Sequence, residues 1–301
     1  MKENNKDLYP NLGLSDIIKI LHDKDRGRLA KEDFSLCGVE IFSDLSYKDD
    51  GDSYHNFDLY YGNPRSETLP TIIMVHGGGL VYGRKELNKD MGIYFAQKGF
   101  NVANINYRLL PEVSFVDQVK DVADAFSYIY ENFSKLKLNR DKIFILSDSA
   151  GSLLSLAAFA LMKDERIRDF FNIHPLDFDI SAMGYISPMT GLVKSGSLSL
   201  INEPARRNLN KKQATFLDNI LIALENTDLP QSIIITSEED FIRDQALDLY
   251  NFLDSKNIRN KFLDFKKIAD HPLGHGFAVS HPRLDESIIV LDEISNFFKK
   301  F

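Results

Sequence analysis

The sequence predicts an α/β protein: a mostly parallel central sheet with helices on both faces and a small helical cap. Three observations carry that prediction. Short runs of β-branched residues alternate with longer helical patterns, the rhythm of parallel strands joined by helical crossovers. The runs Ile72-Ile73-Met74-Val75 and Ile143-Phe144-Ile145-Leu146 are continuously apolar, as strands covered on both faces must be. There is no internal repeat and no linker rich in Pro, Gly and Ser, so residues 1–301 read as one domain.

Strands are expected at 39–42, 57–61, 71–75, 102–107, 143–146, 182–186, 233–236 and 261–265. Helices are expected at 85–98, 115–133, 149–162, 241–253 and 285–298. The second of these puts Val119, Val122, Ala123, Phe126 and Ile129 on one face at three- and four-residue spacing. The first two strands are joined by the polar stretch 43–56, with Asp49, Asp50, Gly51 and Asp52, and so form an antiparallel hairpin at a sheet edge. Two segments break the rhythm. Residues 8–33 hold a short amphipathic helix with Ile17, Ile18, Ile20 and Leu21, and 190–226 interrupts a crossover with a helical stretch around 214–224. Extra helices beside the strand C-termini cover the ligand crevice in such sheets, so cap elements are expected from about 1–35 and 190–226.

Composition narrows the function. A net charge of −8, from acidic and basic residues spread along the chain, repels phosphate backbones and argues against nucleic acid as partner. No apolar run approaches the ~20 residues that a membrane helix needs. The single cysteine, Cys37, excludes an internal disulfide and a Cys-rich metal site, and fits a reducing cytoplasm. The polar stretch from Met1 to Tyr9 lacks the apolar core of a secretory signal, which points the same way.

Four motifs carry chemistry. The strand at 71–75 runs into His76-Gly77-Gly78-Gly79, where backbone N–H groups can approach a ligand with no Cβ in the way. Neither a Gly-Lys-Ser/Thr nor a dinucleotide spacing follows, so an oxyanion site is the stronger reading. The strand at 143–146 passes through Ser147-Asp148-Ser149-Ala150-Gly151-Ser152 into a helix. A strained strand–nucleophile–helix turn needs such small neighbours, and it would turn the Ser149 hydroxyl outward with the Ala150 N–H beside it. A late strand ends in Glu238-Glu239-Asp240, and Gly274-His275-Gly276-Phe277 precedes the last helix. Nucleophile, acid and base thus occur in the chain order that α/β-hydrolases use. Ser149 is the expected nucleophile, His275 the base and Asp240 the orienting acid, with Glu238, Glu239 and His271 as rivals for the last two roles.

These residues resemble the hormone-sensitive-lipase-like carboxylesterases of the α/β-hydrolase fold. The likeness rests on His76-Gly77-Gly78-Gly79, Tyr107-Arg108-Leu109-Leu110-Pro111-Glu112, Asp148-Ser149-Ala150-Gly151, Asp240-Phe241-Ile242-Arg243-Asp244 and His275-Gly276-Phe277. It implies a triad of Ser149, Asp240 and His275 and an oxyanion hole from the N–H groups of Gly77, Gly78 and Ala150. It further implies a structural His76, a fixing network of Arg108 and Glu112 behind the site, and a helix-start role for Asp244. Two positions depart from the family, which has glycine where this chain has Ser147 and Ser152. His22, His55, His174 and His281 match nothing and read as ordinary polar residues. The implied activity is cleavage of short-chain carboxylic esters, a reaction that requires no metal or organic cofactor. A non-catalytic binding protein, an acyltransferase and an amidase remain alternatives, and a homodimer is compatible with the family.

Overall fold

The computed structural model describes residues 9, 11–29, 38–165, 168 and 179–301. Cys37, His174 and the parts of the expected cap at 1–8, 10 and 30–35 lie outside them. The described chain is built on one eight-stranded sheet in the order β1-β2-β4-β3-β5-β6-β7-β8. The strands are β1 (Glu40–Ser46), β2 (Asn56–Tyr61), β3 (Thr71–Val75), β4 (Asn101–Ile105), β5 (Ile143–Asp148), β6 (Ala182–Ile186), β7 (Gln231–Ser237) and β8 (Asn260–Phe265). β1 pairs antiparallel with β2, and β2 antiparallel with β4. Every other neighbour is parallel. All eight expected strands are present, the first extended into the polar stretch as far as Ser46.

Period-two alternation in the central strands divides the core between two faces. Ile73, Val75, Ala103, Ile105, Ile143, Ile145 and Ile234 point to one side. There they meet α3 (Phe115–Glu131), α5 (Ala150–Lys163) and α8 (Arg243–Ser255). Ile72, Met74, Val102, Phe144, Leu146, Ile233 and Ile235 point to the other side, against α2 (Lys89–Gln97) and α10 (Asp285–Phe298). α4 (Phe133–Leu136) and α9 (Phe277–Ser280) are single turns. α3 starts where it does because Ser114 and Asp117 form a capping box: the Ser114 hydroxyl accepts the Asp117 N–H at 3.2 Å and the Asp117 carboxylate accepts the Ser114 N–H at 2.9 Å.

The two segments outside the rhythm take separate places. α1 (Leu14–Leu29) buries Ile17 and half-buries Ile18 and Leu21, while Ile20 faces solvent, against expectation. The insertion between β6 and β7 holds a 3-10 turn (Ser197–Ile201), α6 (Asn202–Arg206), α7 (Lys211–Asp218) and a second 3-10 turn (Ile220–Leu224). The second turn packs on α5, with Ile220, Leu221 and Leu224 buried in the core. The expected helical stretch therefore packs on the outside of α5 and on α7. The 3-10 turn Ser197–Ile201, which no apolar period announces, packs instead against α1.

Candidate active site

β3, β5, β6 and β7 end in register, with Val75 opposite Ser147, Asp148 opposite Ile186 and Ile186 opposite Ile235. The glycine loop, the Ser149 turn, Ser187 and the acidic loop therefore emerge together at one sheet edge, the place where ligands sit in parallel sheets. Ser149 leaves β5 with φ 47° and ψ −121°, a conformation that costs a non-glycine residue ~1–3 kcal/mol. Its surroundings hold it there: its N–H donates to the Ile186 carbonyl at 3.0 Å, and its own carbonyl accepts from Met189 at 3.1 Å and Ser152 at 3.0 Å. Gly151 is required because a Cβ there would come within 2.2 Å of the Val75 carbonyl oxygen. α5 can then start directly against β3.

The three expected residues meet. His275 Nδ1 donates to Asp240 Oδ1 at 2.8 Å, and the Ser149 hydroxyl donates to His275 Nε2 at 2.8 Å. This tautomer follows from the acid, because an ionised carboxylate only accepts. Asp240 is buried and accepts three further bonds, from the Ile242 N–H at 3.0 Å, the Thr236 hydroxyl at 3.2 Å and the Ser187 hydroxyl. Burial opposes its ionisation, but the His275 charge and these donors hold the carboxyl below its ordinary range. For His275, burial opposes the imidazolium, yet the Asp240 charge and hydrogen bond, with a contribution from Asp148, outweigh it and raise the pKa above its ordinary value.

The rivals are occupied elsewhere. Glu239 accepts the Leu273 N–H at 3.0 Å, and Glu238 accepts the Lys267 N–H at 3.0 Å, so both hold the histidine loop in place. His271 pairs with Glu286 at 3.0 Å. Asp244 sits in the first turn of α8. His76 is fully buried, donates from Nδ1 to the Gly77 carbonyl at 2.7 Å and stacks on Tyr107 at 4.3 Å. Burial lowers its pKa to about 4, so it is a neutral brace for the loop.

Two expectations need correction. Gly77 is not a free donor: its N–H is bound to Asp148 Oδ2 at 3.1 Å. Among the described residues none accepts the N–H of Gly78, Gly79 or Ala150, and Ala150 as the first residue of α5 has no partner within its helix. Gly78, with φ 117°, turns the chain so that these amides follow one another. The second correction concerns the network behind the site. Arg108 grips Asp121 through two nitrogens at 2.8 and 2.7 Å, but Glu112 is exposed and makes no ion pair among the described residues. Its place is taken by His55, which reads as ordinary in the sequence but is buried between Asp50 (2.7 Å) and Asp121 (3.0 Å).

Several site residues carry no motif of their own. Ser187 also accepts the Gly276 N–H at 2.9 Å, tying the acid to the histidine loop. The Phe241 ring packs on the His275 imidazole with centroids 4.5 Å apart. Asn88 donates to Asp148 at 2.9 Å. The two positions where the resemblance leads one to expect glycine also meet: the buried Ser147 hydroxyl donates to that of Ser152 at 3.2 Å.

Comparison with known proteins agrees with this architecture. The BD-FAE family model matches residues 57–235. The acetyl esterase of Salmonella paratyphi B is 24% identical over 208 residues, 65% of this chain and 62% of its own length. The chain thus spans less than two thirds of the curated relatives it first matches. Esterase B of Lactobacillus Rhamnosis superposes with a TM-score of 0.87 at 23% identity, covering 95% of this chain and 93% of its own; it has also been solved with a C4-C4 tributyrin phosphonate inhibitor. An esterase of Pyrobaculum calidifontis superposes with a TM-score of 0.74 at 22% identity, covering 99% and 94%. With more than half of its length matched by the family model, and with a mostly parallel sheet flanked on both faces by helices, the chain belongs to the BD-FAE family of α/β-hydrolases.

Proposed function

We propose that this protein is a serine carboxylesterase that cleaves short-chain carboxylic esters through an acyl-enzyme on Ser149. One observation carries the reading: the unbroken hydrogen-bond line from the Ser149 hydroxyl through His275 to Asp240, beside backbone amides without partners. His275 takes the Ser149 proton as the oxygen attacks the ester carbonyl and returns it to the leaving alcohol. Asp240 fixes the tautomer and stabilises the imidazolium. The N–H groups of Gly78, Gly79 and Ala150 receive the oxyanion, for which each donor contributes on the order of 10²–10³ in rate. Water, with His275 again as base, releases the acid.

The acyl length follows from what covers the glycine loop. A Cβ on Gly79 would lie 3.0 Å from Ile201 Cδ1, so the 3-10 turn Ser197–Ile201 sits on the loop. The Tyr82 hydroxyl, three residues further along, donates to Asp25 of α1. In this reading α1 and residues 197–206 form a cap over the glycine loop, and a cap so placed would favour acetyl and butyryl groups over long chains. The lone cysteine suits a cytoplasmic protein, and among the described residues no helix is long and apolar enough to cross a membrane.

The test compares wild type with Ser149→Ala on p-nitrophenyl acetate, butyrate and dodecanoate, with fluorophosphonate labelling of Ser149. Loss of the nucleophile costs on the order of 10⁶ in kcat. Turnover or labelling that survives the substitution overturns the mechanism, and a preference for dodecanoate overturns the cap.

A further inference from the structure

We propose that Asp148 is a positioning residue of this site: its buried carboxylate pins the glycine loop through the Gly77 N–H, and its charge, one residue from the serine that His275 touches, acts on the base of the reaction. The proposal rests on the serine-esterase reading above and adds to it a residue that stands outside the triad.

Asp148 is the last residue of β5, next to the nucleophile, and is 7% exposed. One carboxylate oxygen accepts the Gly77 N–H at 3.1 Å and the other accepts the Asn88 amide at 2.9 Å. A Cβ on Gly77 would fall 2.3 Å from Asp148 Oδ2 and 2.9 Å from the Ser149 Cβ, so loop and nucleophile turn are in contact at this point. Asn88 is a firm anchor. It closes the 3-10 turn Lys85–Asn88, whose Lys85 N–H donates to Asn106 at 2.7 Å and whose Lys85 carbonyl accepts from Asn104 at 2.6 Å. With Gly77 held in this way, the amides of Gly78 and Gly79 are aimed by a rigid support.

Positioning alone does not require a charge. An asparagine could accept the Gly77 N–H and donate to the Asn88 carbonyl oxygen, which is buried without a partner, once the Asn88 amide turned over. Instead the chain keeps an acid whose pKa burial raises to about 6, against the Asn88 and Gly77 donors and the His275 charge that favour ionisation. It is therefore anionic at neutral pH. Among the described residues this charge acts on Tyr107, held neutral by burial and by Asp148, and on His275, whose imidazolium it favours. The charge thus has one productive recipient, the base of the reaction.

The experiment measures pH–rate profiles of full-length wild type, Asp148→Asn and Asp148→Leu on p-nitrophenyl acetate, with fluorophosphonate titration of active sites. Asp148→Asn is expected to label fully, to keep KM within about twofold, and to move the acid limb of kcat/KM down by roughly half a pH unit as His275 loses a neighbouring charge. Asp148→Leu, which removes the acceptor for Gly77, is expected to lose on the order of 10²-fold in kcat at every pH. An acid limb unchanged in Asp148→Asn, or an Asp148→Leu enzyme as fast as wild type, overturns the proposal. If Asp148→Asn does not fold, Asn88→Ala makes the carboxyl harder to ionise and must move the same limb in the same direction. A wild type that neither turns over ester nor labels at Ser149 would instead refute the underlying esterase reading.

Discussion

Replacing Asp240 by Asn tests the acid assignment and has a magnitude that the site itself sets. Two donors face Asp240 Oδ1, the His275 Nδ1–H at 2.8 Å and the Ile242 N–H at 3.0 Å. The backbone donor forces an asparagine to keep its carbonyl oxygen there, with its amide toward the Thr236 hydroxyl, which can turn to accept. The tautomer of His275 therefore survives, and what is lost is the negative charge. For charge centres ~4 Å apart at an effective dielectric constant of ~20 that interaction is about 4 kcal/mol, or about three decades in rate. A tautomer switch would cost more, on the order of 10⁴. Steady-state kinetics of Asp240→Asn on p-nitrophenyl butyrate should thus show kcat down about 10³-fold, with the acid limb shifted to lower pH. Glu239→Gln, which can still accept the Leu273 N–H, should stay within a few-fold of wild type. A loss below about tenfold in Asp240→Asn, or an equal loss in Glu239→Gln, would refute this account.

Three further outcomes follow. Because His275 acts as a base only when neutral and its pKa is raised, kcat/KM should fall with acidification from a midpoint above the ordinary ~6.5, and a profile flat from about pH 5 to 8 contradicts it. Asp148 is raised to about 6 in the folded state from an ordinary 3.8, so the unfolded chain ionises first and stability is lost as pH rises through that window. Asp148→Asn should then be more stable than wild type at pH ~7.5 by on the order of 3 kcal/mol and gain nothing at pH ~3, as read by denaturant titration. Phe241→Leu removes the ring face from the imidazolium and should lower kcat about two- to fivefold with KM unchanged, and an unaffected kcat dismisses that contact.

The fold was legible because its strands announce themselves through continuous apolar runs, and the triad because each member sits in a motif with a mechanical reason for its neighbours. What escaped were residues whose role depends on contacts distant in sequence. Ser187 carries no local signal, and only the register of β6 against β5 and β7 brings it to Asp240. Asn88 lies in a stretch that reads simply as helix, and His55 in one that reads as a polar turn. That the Gly77 amide is held by Asp148 is not legible either, because nothing in a run of three glycines says which amide is already taken. The 3-10 turn Ser197–Ile201 went unseen because so short an element shows no period.

The hydroxyl pair beneath the nucleophile turn has an evolutionary consequence. Ser147 and Ser152 stand where the resemblance leads one to expect glycine, and the Ser147 hydroxyl donates to that of Ser152 in a place buried from solvent. Either serine beside a glycine would strand a buried polar group, a penalty of ~1–3 kcal/mol. A lineage can therefore move between the two states only through a weakened intermediate. The two positions should covary among descendants of this chain, and grafting one of them alone onto a glycine-bearing homologue should import the defect without the remedy.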